Sequence, residues 1–218
     1  MRQTLDSVAN VVITVVALVM MAVFLHDRRS GGEGAQTPSV VKDWEEHNRA
    51  GIRVGHADVP FVVTEFMDFT CPYCRMLSPV TDSLLNAFPQ KVAVVFHHFP
   101  LPNRPLALES AIAAECAHEQ GRFGEMYKNL FASGNQAGLE PDWSSLARAS
   151  GVANVERFSV CLARPANAFP RIEAGRRIGE ETGVRGTPTV WVNGRPTTAR
   201  TVRQFSDLAQ EMGVDLRN

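Results

Sequence analysis

Apolar residues in this chain fall into short continuous runs and helical stripes, and that pattern lays out an alternating α/β order. Phe61 to Phe66 is a continuous apolar-rich run of strand length, as expected of a strand buried on both faces. Beyond it, Val80, Leu84, Leu85 and Phe88 fit one face of a helix that Pro79 should kink. Val92 to Phe96 reads as a second strand. From Pro105 to about Ala168 the period turns helical: Leu108, Ala111, Ile112, Glu115 and Cys116, then Phe123, Met126, Tyr127, Leu130 and Phe131. Gly134 and Gly138 break that run, and Trp143, Leu146, Ala147 and Val152 lead on to Phe158–Leu162. Val184 to Val192, the turn at Asn193-Gly194 and a strand near Thr197 complete a sheet. Val202, Phe205, Leu208, Ala209 and Met212 form the apolar stripe of a terminal helix.

The N-terminal pattern is different. Ser7 to Leu25 carries no formal charge; as a helix it would be roughly 28 Å long, close to the hydrocarbon thickness of a bilayer. A buried core helix would need a polar face, and Val11 to Leu25 hardly has one. A cleaved signal peptide would need small residues after the apolar run, where His26-Asp27-Arg28-Arg29 stands instead. An uncleaved single-span anchor is the favoured reading. Gly31, Gly32, Gly34, Pro38 and Ser39 then mark a flexible tether, and Lys42 to Ala50 fits a short helix whose Trp44 packs on the domain. The expected layout is an anchor over 1–29, a linker over 30–43 and a domain over 44–218.

At 218 residues, 44% hydrophobic and 21% charged, the chain has the composition of a globular domain with an appendage. A net charge of −1 gives no reason to expect nucleic acid as a partner.

Candidate chemistry concentrates at Cys71-Pro72-Tyr73-Cys74, where the first strand hands over to a helix. Pro72 suits the first helical position, and the unpaired N–H groups there favour Cys71 as a reactive thiolate. Cys74, one turn on, is close enough to close a disulfide and lies deeper. A Cys-X-X-Cys is also half of a zinc site, but Cys116 and Cys161 stand far apart and no histidine pair near them has ligand spacing. A redox dithiol is favoured over a metal site or an inert disulfide, and no metal or cofactor is expected. His97 and His98, adjacent on a strand, point to opposite faces and read as surface polarity.

Ile52-Arg53-Val54-Gly55, Val59–Phe66 and Asp68-Phe69-Thr70-Cys71-Pro72-Tyr73-Cys74, with Thr182–Val190 more than a hundred residues later, resemble the DsbA-like thiol–disulfide oxidoreductases. The resemblance covers about Trp44 to the C-terminus. It implies a thioredoxin fold with a helical insertion over about 104–169, preceded here by the transmembrane helix. It also implies that Cys71 is the nucleophile and Cys74 the resolving thiol, and that Glu65 is a buried acid beneath them. Pro72, Tyr73, Thr187 and a cis Pro188 would meet the substrate. Gly124 departs from the family, where an aromatic residue often follows the equivalent of Phe123. An even cysteine count in an exported domain suggests a structural Cys116–Cys161 disulfide, with two buried free thiols as the alternative.

The expected function is exchange of disulfides with exported protein substrates, in the oxidase direction, with a membrane redox partner resetting the dithiol. A disulfide reductase, for instance in cytochrome maturation, is the nearest rival, since glutaredoxins also use Pro-Tyr and Tyr73 supplies no charge. A peptide-binding holdase with incidental thiols is the rival from another class; it would keep its activity when both cysteines are mutated. The flanking charges, Arg2 against Arg28 and Arg29, lean weakly towards a cytoplasmic domain. Stable disulfides belong on the oxidising side, so the extracytoplasmic, periplasmic placement is preferred.

Overall fold

The computed structural model describes residues 15–23, 39–133 and 141–216. The chain divides into two units, Met1–Ser39 and Val40–Asn218. In the first, residues 15–23 are helical (α1) with exposed side chains. No helix among the described residues is long and apolar enough to cross a membrane. The expected span, Ser7–Leu25, lies partly outside them.

The second unit is built on a five-stranded sheet of order β1-β3-β2-β4-β5. It comprises β1 (Ile52–Gly55), β2 (Phe61–Met67), β3 (Val92–His98), β4 (Thr189–Val192) and β5 (Arg195–Thr197). β2 and β3 run parallel and the other pairs antiparallel. Helix α3 (Pro72–Ala87) makes the β2–β3 crossover, because parallel neighbours need a long connection. Every residue of both strands is buried, which is why they lack the polar alternation of a half-exposed strand. Phe61, Val63, Met67, Val92, Val94 and Phe96 join the main core with α3 and the helical block. On the opposite face Phe66 packs with Ile178, Val184 and Trp191.

The β4–β5 hairpin turns on Asn193 and Gly194, at φ 45° and 75°. Two consecutive positive φ values define the turn type whose twist matches a two-residue hairpin. Asn193 also reaches back, accepting from Val62 N and donating to Pro60 O, both at 2.8 Å.

The remaining helices are α2 (Trp44–Arg49), α4 (Ala107–His118), α5 (Phe123–Ala132), α6 (Trp143–Ala149), α7 (Val155–Leu162), α8 (Pro170–Glu181) and α9 (Val202–Glu211). Helix α3 runs through Pro79. The Gly124 position faces open space, so the larger family residue has room there. Cys116 on α4 and Cys161 on α7 form a disulfide, with Cα atoms 5.8 Å apart. Closing a loop of 45 residues contributes roughly 4 kcal/mol in the chain-entropy model.

Helix α8 carries no clear apolar stripe in the sequence. Its buried face is Ile172, Gly175, Ile178 and Gly179, and a Cβ at Gly175 would run into the His98 carbonyl. The glycines let α8 lie directly on β3, and both histidines are covered. His97 and His98 are therefore core residues, 1% exposed each, and not the surface polarity that their type suggests. β3 lies between β1 and β2 with helices on both faces, so no position on it meets water. His97 stacks on Phe66 at 4.9 Å. Neither ring nitrogen has a partner, and burial pushes its pKa down to about 3. His98 Nε2 meets Glu115 Oε1 at 3.1 Å, and Arg171 donates to the same carboxylate. Burial opposes the Glu115 charge, but His98 and Arg171 outweigh it and hold the carboxyl below its usual range.

Candidate active site

The C-terminal end of β2 and the N-terminus of α3 set the position of the two free cysteines. Asp68 fixes the loop between them. Its Oδ1 accepts from Thr70 N and Oγ1, both at 2.7 Å, its Oδ2 accepts from Leu101 N at 3.0 Å, and its carbonyl accepts from Cys71 N. Arg104 donates to the Thr70 carbonyl from the far side. An aspartate two residues ahead of a turn threonine is an Asx-turn pattern; read that way, the sequence contains the signal for this loop.

Cys71 is the N-cap of α3, with Pro72 at the first helical position. A helix N-terminus has unpaired N–H groups, and those of Tyr73 and Cys74 turn to the Cys71 sulfur. The Cys74 thiol has the largest effect, as a hydrogen-bond donor to Cys71. Burial works against the thiolate, and Thr187 adds to its stabilisation. The balance brings Cys71 down to about 5. Burial, the Cys71 partner and the nearby Glu65 carboxyl push Cys74 far above the ordinary thiol range. The two sulfurs of one motif are thus electrostatically opposite, one poised as thiolate and one held protonated.

Both cysteines are covered, Cys71 at 1% exposure and Cys74 at 0%. The Cys71 sulfur is not open to solvent, and the Thr187 carbonyl lies against it. In the thiol form Cys71 Sγ donates to the Thr187 carbonyl at 3.2 Å. The Thr187–Pro188 peptide bond is cis. Pro72 is exposed and Tyr73 is 66% exposed, flanking the sulfur on the solvent side.

Glu65 alternates with Phe66 on β2, so its side chain joins Val63 and Met67 on the face covered by α3. It is fully buried, and neither carboxyl oxygen has a hydrogen-bond partner. Burial lifts its pKa to about 8; Arg200 pulls the other way, and the Cys71 thiolate adds to the rise. A carboxyl of that kind is neutral at pH 7 and carries a proton to give. Arg200, between β5 and α9, was not singled out by sequence reasoning. Its guanidinium donates to Pro188 O and Ala199 O, at 3.3 and 2.7 Å. With Tyr73, Met76 and Leu77 it lines a cleft of about 140 Å³ beside the dithiol. A larger hollow, about 600 Å³, lies against α9 and touches neither cysteine.

Comparisons with known proteins identify the family and the fold. A thioredoxin family model matches residues 47–211. Residues of the chain align at 33% identity with a Na(+)/H(+) antiporter NhaA 1 from Mycolicibacterium vanbaalenii, over 68% of this chain and 24% of that protein. The chain spans about a quarter of the length of the curated relatives it matches. Among solved structures, BdbD from Bacillus subtilis superposes with a TM-score of 0.66 at 18% identity, covering 81% of this chain and 95% of that one. The thiol-disulfide exchange protein alpha-DsbA2 from Wolbachia pipientis gives 0.64 at 17% identity, covering 78% and 91%. The chain belongs to the thioredoxin family and has the fold of its DsbA-like thiol–disulfide oxidoreductases.

Proposed function

We propose that this chain is a membrane-tethered, extracytoplasmic thiol–disulfide oxidoreductase that works as a dithiol oxidase on exported proteins. The observation that carries the direction is the unequal state of the two sulfurs, Cys71 held near 5 and Cys74 kept protonated. A substrate thiolate attacks Cys71 Sγ of the Cys71–Cys74 disulfide. The S–S electron pair leaves on Cys74, which takes the proton of neutral Glu65. A second substrate thiolate then attacks the substrate sulfur of the mixed disulfide and expels Cys71 as thiolate. Two substrate thiols become one disulfide, the protein ends as a dithiol, and a membrane redox partner returns it to the disulfide. A thiol of low pKa leaves fast, so the second step favours release of oxidised substrate. During the mixed-disulfide stage the Thr187 backbone, beside Cys71 Sγ, is placed to pair with an extended substrate segment, with Pro72 and Tyr73 on its other side.

The low Cys71 pKa supports the oxidase direction over the reductase. A Cys71 pKa of about 5 stabilises the dithiol form at pH 7, relative to a pKa near 7, by about 2.3 kcal/mol, or roughly 50 mV. Glutathione redox titration of the protein is therefore expected to give a potential well above about −270 mV, towards the roughly −120 mV of a strong oxidant. A potential near −270 mV overturns the oxidase direction in favour of the reductase.

The tether rests on the uncharged stretch Ser7–Leu25. The protein should stay with membranes through an alkaline carbonate wash and should be digested by protease added from the extracytoplasmic side. Protection by an intact membrane would reverse the orientation.

A further inference from the structure

Charge around the dithiol is one-sided. The three segments that enclose it, 70–80, 183–189 and 198–201, carry Arg75, Arg185 and Arg200 and no acidic residue. None of the three arginines pairs with a carboxylate among the described residues. Of the acids nearest in sequence, Asp68 is buried in its loop, Asp82 pairs with Lys128 at 3.4 Å and Glu181 with Arg177 at 3.4 Å.

Arg200 differs from the other two in being held in place. Its two hydrogen bonds go to backbone carbonyls, one of them that of Pro188. A guanidinium has five donors in a fixed fork, so the group stays charged, oriented and only partly used. It stands over the cleft formed with Tyr73, Met76 and Leu77. Tyr73 and Met76 are 66% and 68% exposed, so apolar surface lies open beside the dithiol.

From this juxtaposition we infer that Arg200 is a specificity-determining residue: it selects extended substrate segments that carry a carboxylate side chain next to the reacting cysteine. The inference rests on the thiol–disulfide reading above and adds the substrate class. Tyr73 and Met76 take the apolar part of the segment, and Arg200 takes the acidic side chain in a charge-assisted pair. Because the pair is half open to water, its effect is modest and sensitive to salt.

The test uses the oxidised full chain in detergent and two-cysteine peptides of one length, with Glu or Lys beside the reacting cysteine. The rate of loss of the Cys71–Cys74 disulfide is measured for each peptide. Taking the Glu-to-Lys rate ratio within each protein cancels any change in Cys71 reactivity. Comparing that ratio between proteins cancels the intrinsic reactivity of the peptides. The ratio for the wild-type protein should exceed that for Arg200→Gln by about 3-fold to 5-fold. Arg200→Lys should retain most of the preference, and 1 M salt should erase it. Equal ratios in the wild type and Arg200→Gln overturn the assignment of Arg200 while leaving the oxidoreductase reading intact. No reaction with either peptide overturns both.

Discussion

Replacing Glu65 with Gln should flatten the pH dependence of stability between pH 5 and pH 8 and slow the exchange reaction by about two orders of magnitude. The wild-type carboxyl titrates at about 8 when folded, against 4.5 for the ordinary group. Between those values the unfolded chain has released the proton and the folded one still holds it. The folded state therefore binds more protons, and stability falls as pH rises through this window. The wild type should lose up to about 3.5 kcal/mol from pH 5 to pH 8 through this group, less the part of the rise that the Cys71 thiolate supplies and oxidation removes. The measurement is urea unfolding of the oxidised protein at several pH values. Oxidation matters because a free Cys71, at about 5 when folded, gains stability as pH rises and would mask the slope. His97 also opposes it below its unfolded value, but it is present in both proteins and cancels in the difference. Parallel pH profiles for the wild type and Glu65→Gln would show that Glu65 is ionised in the folded state. The kinetic effect has the same origin, since Gln offers Cys74 no proton as it leaves, and a positioned proton donor contributes about 10²-fold or more.

The pattern of buried strands made much of this legible in advance. β2 and β3 are covered on both faces, so they stand out as apolar runs, and the cysteine motif follows from the handover of β2 to α3. The acid at Glu65 is legible only through the family resemblance; in the structure, period-two alternation puts it on the face of Val63 and Met67. Three features were not legible, for related reasons. Helix α8 has a buried face made half of glycine, so apolar periodicity gives no sign of it; the reason for those glycines, the His98 backbone against Gly175 and the Phe99 ring against Gly179, exists only in three dimensions. The histidines of β3 failed in the other direction. Residue type suggests water, but strand order places them in the sheet centre, where His98 finds Glu115, a carboxylate that Arg171 also holds, both from helices far away in sequence. Arg200 reads as ordinary surface charge until the Pro188 carbonyl is found beside it.

Replacing Cys74 with Ser should convert a transient mixed disulfide into a trapped one, while Cys71→Ser should trap almost nothing. In the wild type, Cys74 can attack Cys71 Sγ within a mixed disulfide and release the substrate unchanged. A serine hydroxyl is no nucleophile towards sulfur at neutral pH, so that internal route is lost. Cys71 keeps the Tyr73 and Thr187 groups that favour its thiolate but loses the Cys74 thiol, the largest of its stabilising partners. Its pKa should therefore rise in the Cys74→Ser protein, which makes trapping slower to begin and longer-lived once formed, since a thiol of higher pKa is a poorer leaving group. In the Cys71→Ser protein the remaining sulfur is Cys74, 0% exposed and held protonated by burial. It has neither the thiolate nor the access that attack requires. On non-reducing gels of cells expressing each variant, cross-linked species from Cys74→Ser should exceed those from Cys71→Ser by at least about 10-fold and collapse with reductant. Comparable ladders from both would mean that the two sulfurs are equally accessible. The closed position of Cys71 under the Thr187 carbonyl adds a second expectation to the same gels. A substrate must displace that carbonyl contact to reach the sulfur, so only segments able to lie along the Thr187–Pro188 backbone should be captured efficiently. Small thiol reagents without a peptide backbone should label the Cys74→Ser protein more slowly than the low pKa of the wild-type Cys71 alone would suggest.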